Sequence, residues 1–434
     1  MNKALWVGGL FVVVGAGFGV GTVVTGKQVN LEYQRYVAAI TANYTGVAKV
    51  TSSVDESLFS SANTLTLEFL DLSEPVVDWA GTNSISFDIN YSHSFLASSS
   101  VTTIAEGGLL DKVKSYQVNT TKAPLVVNSN YSYNMLENTV TIKSALVSDA
   151  FIATEGPQEI SIGSSRAELN LTKETLELDW AVMPSYIKDD SMRVDVAETR
   201  LKDQRSVIDG DILSAKFAER SSGQFLIESI KVSGVDTQTL IEKFVVDVGH
   251  EIKDERVLLD LEYQSASVKV EVGPKLYRFD KPQLQLAFDF DFNSVQNFVK
   301  KIQEMQQATG SINDPAQLLP LVSTITEKGV NFDIKRVSVA VDDAVLEGQA
   351  SLKMAPFAIQ EAMLDRQGLM NKVDLEAKLL APKKFLQALP NYNPQQLQFV
   401  VGMGFLNDEG ESYSFDLSVK KGVIKVNGNK IPGL

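Results

Sequence analysis

The chain has 434 residues, of which 44% are hydrophobic and 22% charged, enough for a sizeable core and typical of a folded body. Forty Lys and Arg against 54 Asp and Glu leave a net charge of −14, which repels phosphate backbones and argues against nucleic acid as a partner. The absence of cysteine excludes disulfides, thiolate metal sites, iron–sulfur clusters and cysteine catalysis, and leaves the compartment open.

The first element is an uncharged run from Ala4 to Gly26, preceded by Met1-Asn2-Lys3. A bilayer core about 30 Å thick takes roughly 20 apolar residues in a helix. The run therefore predicts a single-pass transmembrane signal-anchor with a short cytoplasmic tail over residues 1–27. A cleaved signal peptide is the rival reading, but the apolar run continues through Val20, Val23 and Val24, beyond a plausible cleavage point. Lys3 on one side nearly balances Lys27, Glu32 and Arg35 on the other. The short tail and signal-like layout then favour the N-terminus inside and the bulk of the chain outside. Gly15, Gly17, Gly19 and Gly21 form two overlapping G-x-x-x-G spacings. Such spacing lets two membrane helices approach closely, although glycine is also common in membrane helices generally.

Over residues 28–56 a membrane-proximal helix, marked by Leu31, Tyr36, Val37, Ile40 and Tyr44, gives way to a turn at Thr51–Glu56. From residue 57 to 434 the apolar spacing changes to two. It runs through Leu65–Phe69, Ile85–Tyr91, Leu169–Leu171, Leu176–Trp180 and Val194–Val196, then Leu259–Tyr263, Val268–Val272 and Leu284–Phe292. It ends with Val337–Val341, Val373–Leu379 and Tyr413–Val419. Alternation places apolar side chains on one face of a sheet and favours antiparallel pairing. Few helices interrupt it. Val295, Phe298, Val299, Ile302 and Met305 predict one, capped by Asn293 or Ser294; Pro315–Gly329 predicts a second and Lys383–Leu389 a short third. Leu240–Val248 fits either a helix or a strand. The strand into a helix carrying Phe298 and the strand into a helix carrying Phe385 suggest a weak internal repeat. The expected fold is α+β, predominantly antiparallel β sheet with a few helices, preceded by one N-terminal transmembrane helix. Its β-rich body is either continuous or divided near 235–250.

No residue set carries a catalytic, cofactor or metal motif. His93 and His250 are the only histidines, and neither has metal-ligand spacing. Asp289-Phe-Asp291-Phe-Asn293 opens like a calcium loop, but Ser294 and Lys300 stand where Gly and Glu are needed. Ser185-Tyr-Ile-Lys188 and Ser418-Val-Lys-Lys421 fit Ser-x-x-Lys without its companion motifs. The acidic pairs Asp189-Asp190 and Asp342-Asp343 read as turns.

Several segments resemble the YdgA family, a bacterial domain-of-unknown-function family. They are Thr25-Gly26-Lys27-Gln28-Val29, Phe59-Ser60-Ser61-Ala62 opening a strand, the strand–cap–helix from Leu284 to Phe298, and the ending Val423-Ile-Lys-Val-Asn427-Gly428. His93 falls where that family often has His-Gly-Pro, but Ser94 and Phe95 follow, so this motif departs from the pattern. The resemblance implies a Gram-negative, inner-membrane-anchored periplasmic protein and a homodimer. It assigns no activity, and the roles of Phe59, Ser60, Ser61 and His93 stay open. Many apolar sheet faces and few helices to cover them suggest a non-enzymatic protein holding lipid or another apolar ligand in a β-sheet groove. The alternative is a tethered homodimeric scaffold of the envelope; an enzyme is the weakest reading.

Overall fold

A computed structural model describes residues 33–34, 37–38, 40–42, 48–56, 60–70, 82–94, 97–119, 121–134, 139–208, 210, 212, 218–309, 325–326, 328–357, 365–389 and 392–431. The proposed anchor, Gly15, Gly17, Gly19, Gly21, the segment Thr25–Val29 and Phe59 lie outside these residues, as does most of the helix expected at Pro315–Gly329. Among the described residues no helix is long and apolar enough to cross a membrane. The chain divides into two compact units, residues 1–225 and 226–434.

The first unit contains β1 (Ala48–Glu56), β2 (Ser60–Phe69), β3 (Ser84–Ser94), β4 (Ala97–Ile104), α1 (Gly108–Tyr116), β5 (Leu125–Asn134), β6 (Thr139–Ser148), β7 (Phe151–Glu155), β8 (Gln158–Ile162), β9 (Ser165–Leu171), β10 (Thr175–Val182), β11 (Ser185–Lys188), β12 (Arg193–Val196) and β13 (Thr199–Ser206). Antiparallel pairing gives the order β1-β2-β3-β4-β5-β6-β9-β10-β13. Residues 51–56, expected as a turn, belong to β1, which pairs with β2 from Ala48↔Phe69 to Glu56↔Ser61. Thr51-Ser-Ser-Val-Asp-Glu56 carries almost no apolar alternation, so a polar strand left no periodic signal there.

Strict alternation drives the burial. β2, β4 and β9 read exposed and buried in turn. Leu65, Phe87, Ile89, Leu125, Val127, Ile142 and Leu146 form one cluster with Leu110 of α1. The described residues between 33 and 42 are helical, as expected; Tyr33 enters the cluster, and Val37 and Ile40 pack against it. Burial pushes the Tyr33 hydroxyl up to about 12.

A second set, β7-β8-β11-β12, continues the first without a register shift. Ser148 faces Ser165 and Phe151 faces Ile162; Val182 faces Ser165 and Lys188 faces Glu159; Val182 faces Thr199 and Lys188 faces Arg193. Four long strands are therefore interrupted at one level, which makes a fold line across the sheet. Gly163 is needed on that line, because a Cβ there would stand 2.3 Å from the Met183 carbonyl oxygen. Ser185, the first residue of one Ser-x-x-Lys match, works in the same hinge. Its Oγ accepts from Gly163 N–H at 3.0 Å and donates to the Met183 carbonyl at 3.2 Å.

β14 (Arg220–Ser233) carries the chain across the division. The second unit continues with β15 (Thr237–Lys253), β16 (Arg256–Gln264), β17 (Ser267–Val272), β18 (Lys275–Asp291), α2 (Phe292–Thr309), β19 (Val330–Val341), β20 (Ala344–Met354), α3 (Arg366–Asn371), β21 (Val373–Pro382), α4 (Lys383–Gln387), α5 (Pro394–Gly402), β22 (Asn407–Asp408), β23 (Ser412–Lys420), β24 (Val423–Val426) and β25 (Asn429–Lys430). The ambiguous Leu240–Val248 lies in β15. β16 and β17 act as one interrupted strand between β15 and β18. From β18 the order runs β18-β19-β20-β21-β23-β24, all antiparallel. β18 runs straight into α2 and β21 straight into α4, the two strand-to-helix steps seen in the sequence.

The first helix residue differs from expectation: α2 begins at Phe292, and its cap is Asp291, not Asn293 or Ser294. The Asp291 carboxylate accepts from Ser294 N–H at 2.8 Å and from Ser294 Oγ at 2.7 Å. Burial alone would raise this carboxyl, but those two hydrogen bonds bring it below the ordinary aspartate range. The second acid of the calcium-loop-like run is thus the helix start.

Candidate functional site

The strands of the second unit align their apolar positions in rows. One row runs Val248–Leu261–Leu286–Ile334–Ala350–Ala377–Leu417, each residue opposite the next. The next runs His250–Leu259–Phe288–Phe332–Leu352–Leu375–Val419, and the row on the other side Val246–Tyr263–Leu284–Val337–Gly348–Leu379–Phe415. Because side chains two apart on a strand share a face, these rows make one apolar surface across seven strand positions. Phe288 and Phe332 pack on it in a tilted pair with centroids 4.9 Å apart. Almost every member is only half-buried; Val419 is buried and Val248 exposed. His250, one of the two histidines, lies on this surface opposite Leu259.

A bulge in β19 shapes the opposite face. Ile334 faces Ala350 and Val337 faces Gly348, so Lys335 and Arg336 together oppose Gln349. Both cations join a groove of about 700 Å³ with Glu347, Lys378, Asp416 and Asn427. Its cations are paired: Arg336 to Glu347 at 2.9 Å and Lys378 to Asp416 at 3.6 Å within the groove, and Lys335 to Asp260 outside it at 2.5 Å. Leu379, Leu380 and Phe415 also line this groove, but its six charged side chains favour a polar occupant, and the half-buried rows are the better candidate site for an apolar one.

In the first unit the structure brings Ser61 and His93 together. Ser61 Oγ is 3.2 Å from His93 Nε2, and His93 Nδ1 is 3.0 Å from Ser98 Oγ. Ser98 Oγ donates to the Ser92 carbonyl at 2.9 Å, so it accepts from Nδ1–H, and Nε2 is left to accept from Ser61. A hydroxyl in the third position orients the ring without the charge that a triad carboxylate supplies. Ser60, the neighbouring motif position, is exposed on the other face of β2 and sits opposite Ser92.

Ser61 also starts a polar row that sequence reasoning missed: Ser61–Tyr91–Ser100–Ser129–Ser144, one residue from each of five strands. Its buried hydroxyls pair off, Ser100 with Tyr131 at 2.8 Å and Ser129 with Ser144 at 2.8 Å. Burial raises the Tyr131 hydroxyl above its ordinary value, against hydrogen bonds from Ser100, Ser129 and Tyr91. Serines at the inward positions of alternating strands were the available signal. Beside this row, Asn63 Oδ1 and Thr102 Oγ1 are buried without a hydrogen-bond partner. Among the described residues no three His, Asp or Glu side chains stand together as metal ligands would.

Over residues 1–433 the chain matches the family described as bacterial protein of unknown function, DUF945. It belongs to that family. No curated protein and no solved structure matches it.

Proposed function

We propose that this DUF945 member is a non-enzymatic envelope protein that binds lipid or another apolar ligand on the sheet of its second unit. The carrying observation is the apolar surface that stays half-buried from Leu261 and Leu286 to Leu379 and Phe415. Half-exposed apolar side chains gain free energy when covered, at about 25 cal/mol per Å² removed from water. A surface of this extent on a sheet favours a flexible apolar partner laid along the rows. The uncharged run Ala4–Gly26 supports tethering to the bacterial inner membrane with the body in the periplasm, in keeping with the resemblance to the YdgA family. Tethering would place the apolar surface beside a supply of lipid.

The test is organic extraction and mass spectrometry of the full chain purified without added lipid, compared with Leu286→Glu and Ile334→Glu. A defined phospholipid on the natural chain that is lost from both variants, with circular dichroism unchanged, is the expected result. Equal extraction from all three would place the ligand elsewhere. A second reading rests on the same surface and on Gly15–Gly21: two copies cover each other's rows in a tethered homodimeric scaffold. That reading predicts no extracted lipid and a dimer that falls apart in the same two variants.

A further inference from the structure

We propose that α5 and the turn after it dock into the surface of a lipid bilayer. The inference rests on the carrier reading for its purpose and on separate residues for its evidence. β21 ends at Pro382, opposite Ser412 of β23, so residues 383–411 form an excursion from one end of that strand pair. Its base is closed. Lys383 N–H donates to the Glu411 carbonyl at 2.9 Å, Lys383 Nζ pairs with Asp408 at 2.6 Å, and the same ammonium lies 4.9 Å from the Tyr413 ring centroid. Phe385 of α4 is buried and anchors the excursion inward. α5 has no buried residue at all.

Between those closing charges, residues 385–407 contain no Asp, Glu, Lys, Arg or His, in a chain where 22% of residues are charged. Beside exposed Gln395, Gln396 and Gln398 they hold large apolar side chains outward: Phe399 is 66% exposed, Met403 50% and Phe405 40%. Phe399 and Met403 are four apart and share a helix face. The third is aimed by the helix end. Gly404, at φ +77°, donates to the Val401 carbonyl at 2.9 Å, and Phe405 N–H donates to the Val400 carbonyl at 3.2 Å. This pair of bonds is a Schellman closure, which turns the residue after the glycine back along the helix. Asn393 caps the other end, accepting from Gln395 N–H at 3.0 Å and Gln396 N–H at 3.3 Å, with Pro394 in the first turn. The tip is therefore built and held at both ends.

The absence of charge selects the partner. A protein interface surrounds its apolar centre with a charged and polar rim, whereas a bilayer interface admits aromatic and uncharged polar side chains and penalises charge. Here the polar positions are Gln395, Gln396 and Gln398. Interfacial helices that seek anionic lipid carry Lys and Arg in such places. A chain of net charge −14 without them has no pull toward anionic lipid, so the surface it fits is zwitterionic and its docking is insensitive to salt. The excursion joins β21 and β23, whose Leu379 and Phe415 face each other in the apolar surface, so the tip stands where a lipid would pass between sheet and bilayer.

The cysteine-free chain makes the test clean. A bimane label is placed on the full chain at Phe399→Cys, Phe405→Cys or, as control, Val235→Cys, which is 86% exposed in the same unit. Each protein is reconstituted with phosphatidylcholine vesicles carrying nitroxide lipid. The expected result is at least threefold stronger quenching at 399 and 405 than at 235, unchanged by 0.5 M salt, and lost at 405 when Met403→Glu is added. Equal quenching at all three positions, with 399 open to aqueous iodide, would overturn the proposal. So would concentration-dependent pyrene excimers at 399, which would show a second copy on this face. A docked tip on a chain that yields no extracted lipid would sink the carrier reading and leave the docking standing; extracted lipid with an undocked tip would do the reverse.

Discussion

Inward rows in the first unit finish almost dry, with Leu65 and Val127 at 0% exposure and Phe87 at 1%. Apolar rows in the second unit are only half-buried, from Leu259 and Phe288 to Leu352 and Leu375. Both units are antiparallel, and both place strands in near-sequential order. The difference lies in what closes the sheet. In the first unit, the described helical residues 33–34, 37–38 and 40–42 together with α1 supply Tyr33, Val37, Ile40 and Leu110 to one cluster, and even its polar row is paired off internally. Among the described residues of the second unit the buried apolar side chains are few and scattered: Ile227, Val330, Ala344, Ala381, Phe385, Val419 and Val426. Among the described residues, one sheet is completed by helices of its own chain; the rows of the other stay half-buried, and these are the rows we propose a ligand covers.

The sharpest way to break this contrast is a matched truncation. Phe87→Ala should cost about 4 kcal/mol, because a fully buried ring leaves a cavity. Phe288→Ala should cost less, about 2–3 kcal/mol, since its ring is only half-buried and leaves a cavity open to water. Urea unfolding of the full chain reads both. Equal losses would mean that the second sheet is as well closed as the first.

Gly163→Ala comes next. A methyl 2.3 Å from the Met183 carbonyl oxygen must push two strands apart at the fold line, and about 2 kcal/mol of stability should go. Gly156, whose added Cβ would meet nothing within 4 Å but whose φ is +58°, is the control for backbone strain alone. The two together separate crowding from conformation.

Most of the fold class was legible in the sequence. Every alternating run became a strand, because one buried face imposes a period of two whatever covers it. What was not legible depended on partners distant in the chain. Residues 51–56 carry no alternation and are a strand only because β2 pairs with them. Asp291 belongs to an alternating series and became a cap because the chain bends there. α5 was missed because Pro390, Asn391, Asn393 and Pro394 break the pattern before it and its inward stripe is short, only Leu397, Val400 and Val401, while Phe399 faces outward. Of the motif positions, Ser61 and His93 converge, and no spacing rule connects residues that lie on neighbouring strands.

Two smaller effects sharpen the comparison further. Thr102 carries a buried hydroxyl without a partner in the well-closed unit, so Thr102→Val should raise stability by about 1 kcal/mol, read as a higher Tm. A loss would show that the hydroxyl has a partner after all. In the second unit, Asp291→Ala should cost about 1 kcal/mol through the lost cap. Because the folded Asp291 titrates below its unfolded value, that contribution is complete above the ordinary aspartate range and is lost as pH falls through the depressed value. The difference between natural chain and variant should thus vanish in acid; a difference that persists there would assign the effect to packing instead.

The central claim is that the second unit's half-buried surface holds an apolar ligand, and photo-crosslinking tests it most directly. The full chain is reconstituted with a phospholipid bearing a diazirine in its acyl chain, irradiated, digested and mapped by mass spectrometry. The account predicts adducts on peptides containing Leu286, Phe288, Ile334 and Leu352, competed away by unlabelled phospholipid. Adducts on the buried strands of the first unit, or none on β18 to β21, would contradict it.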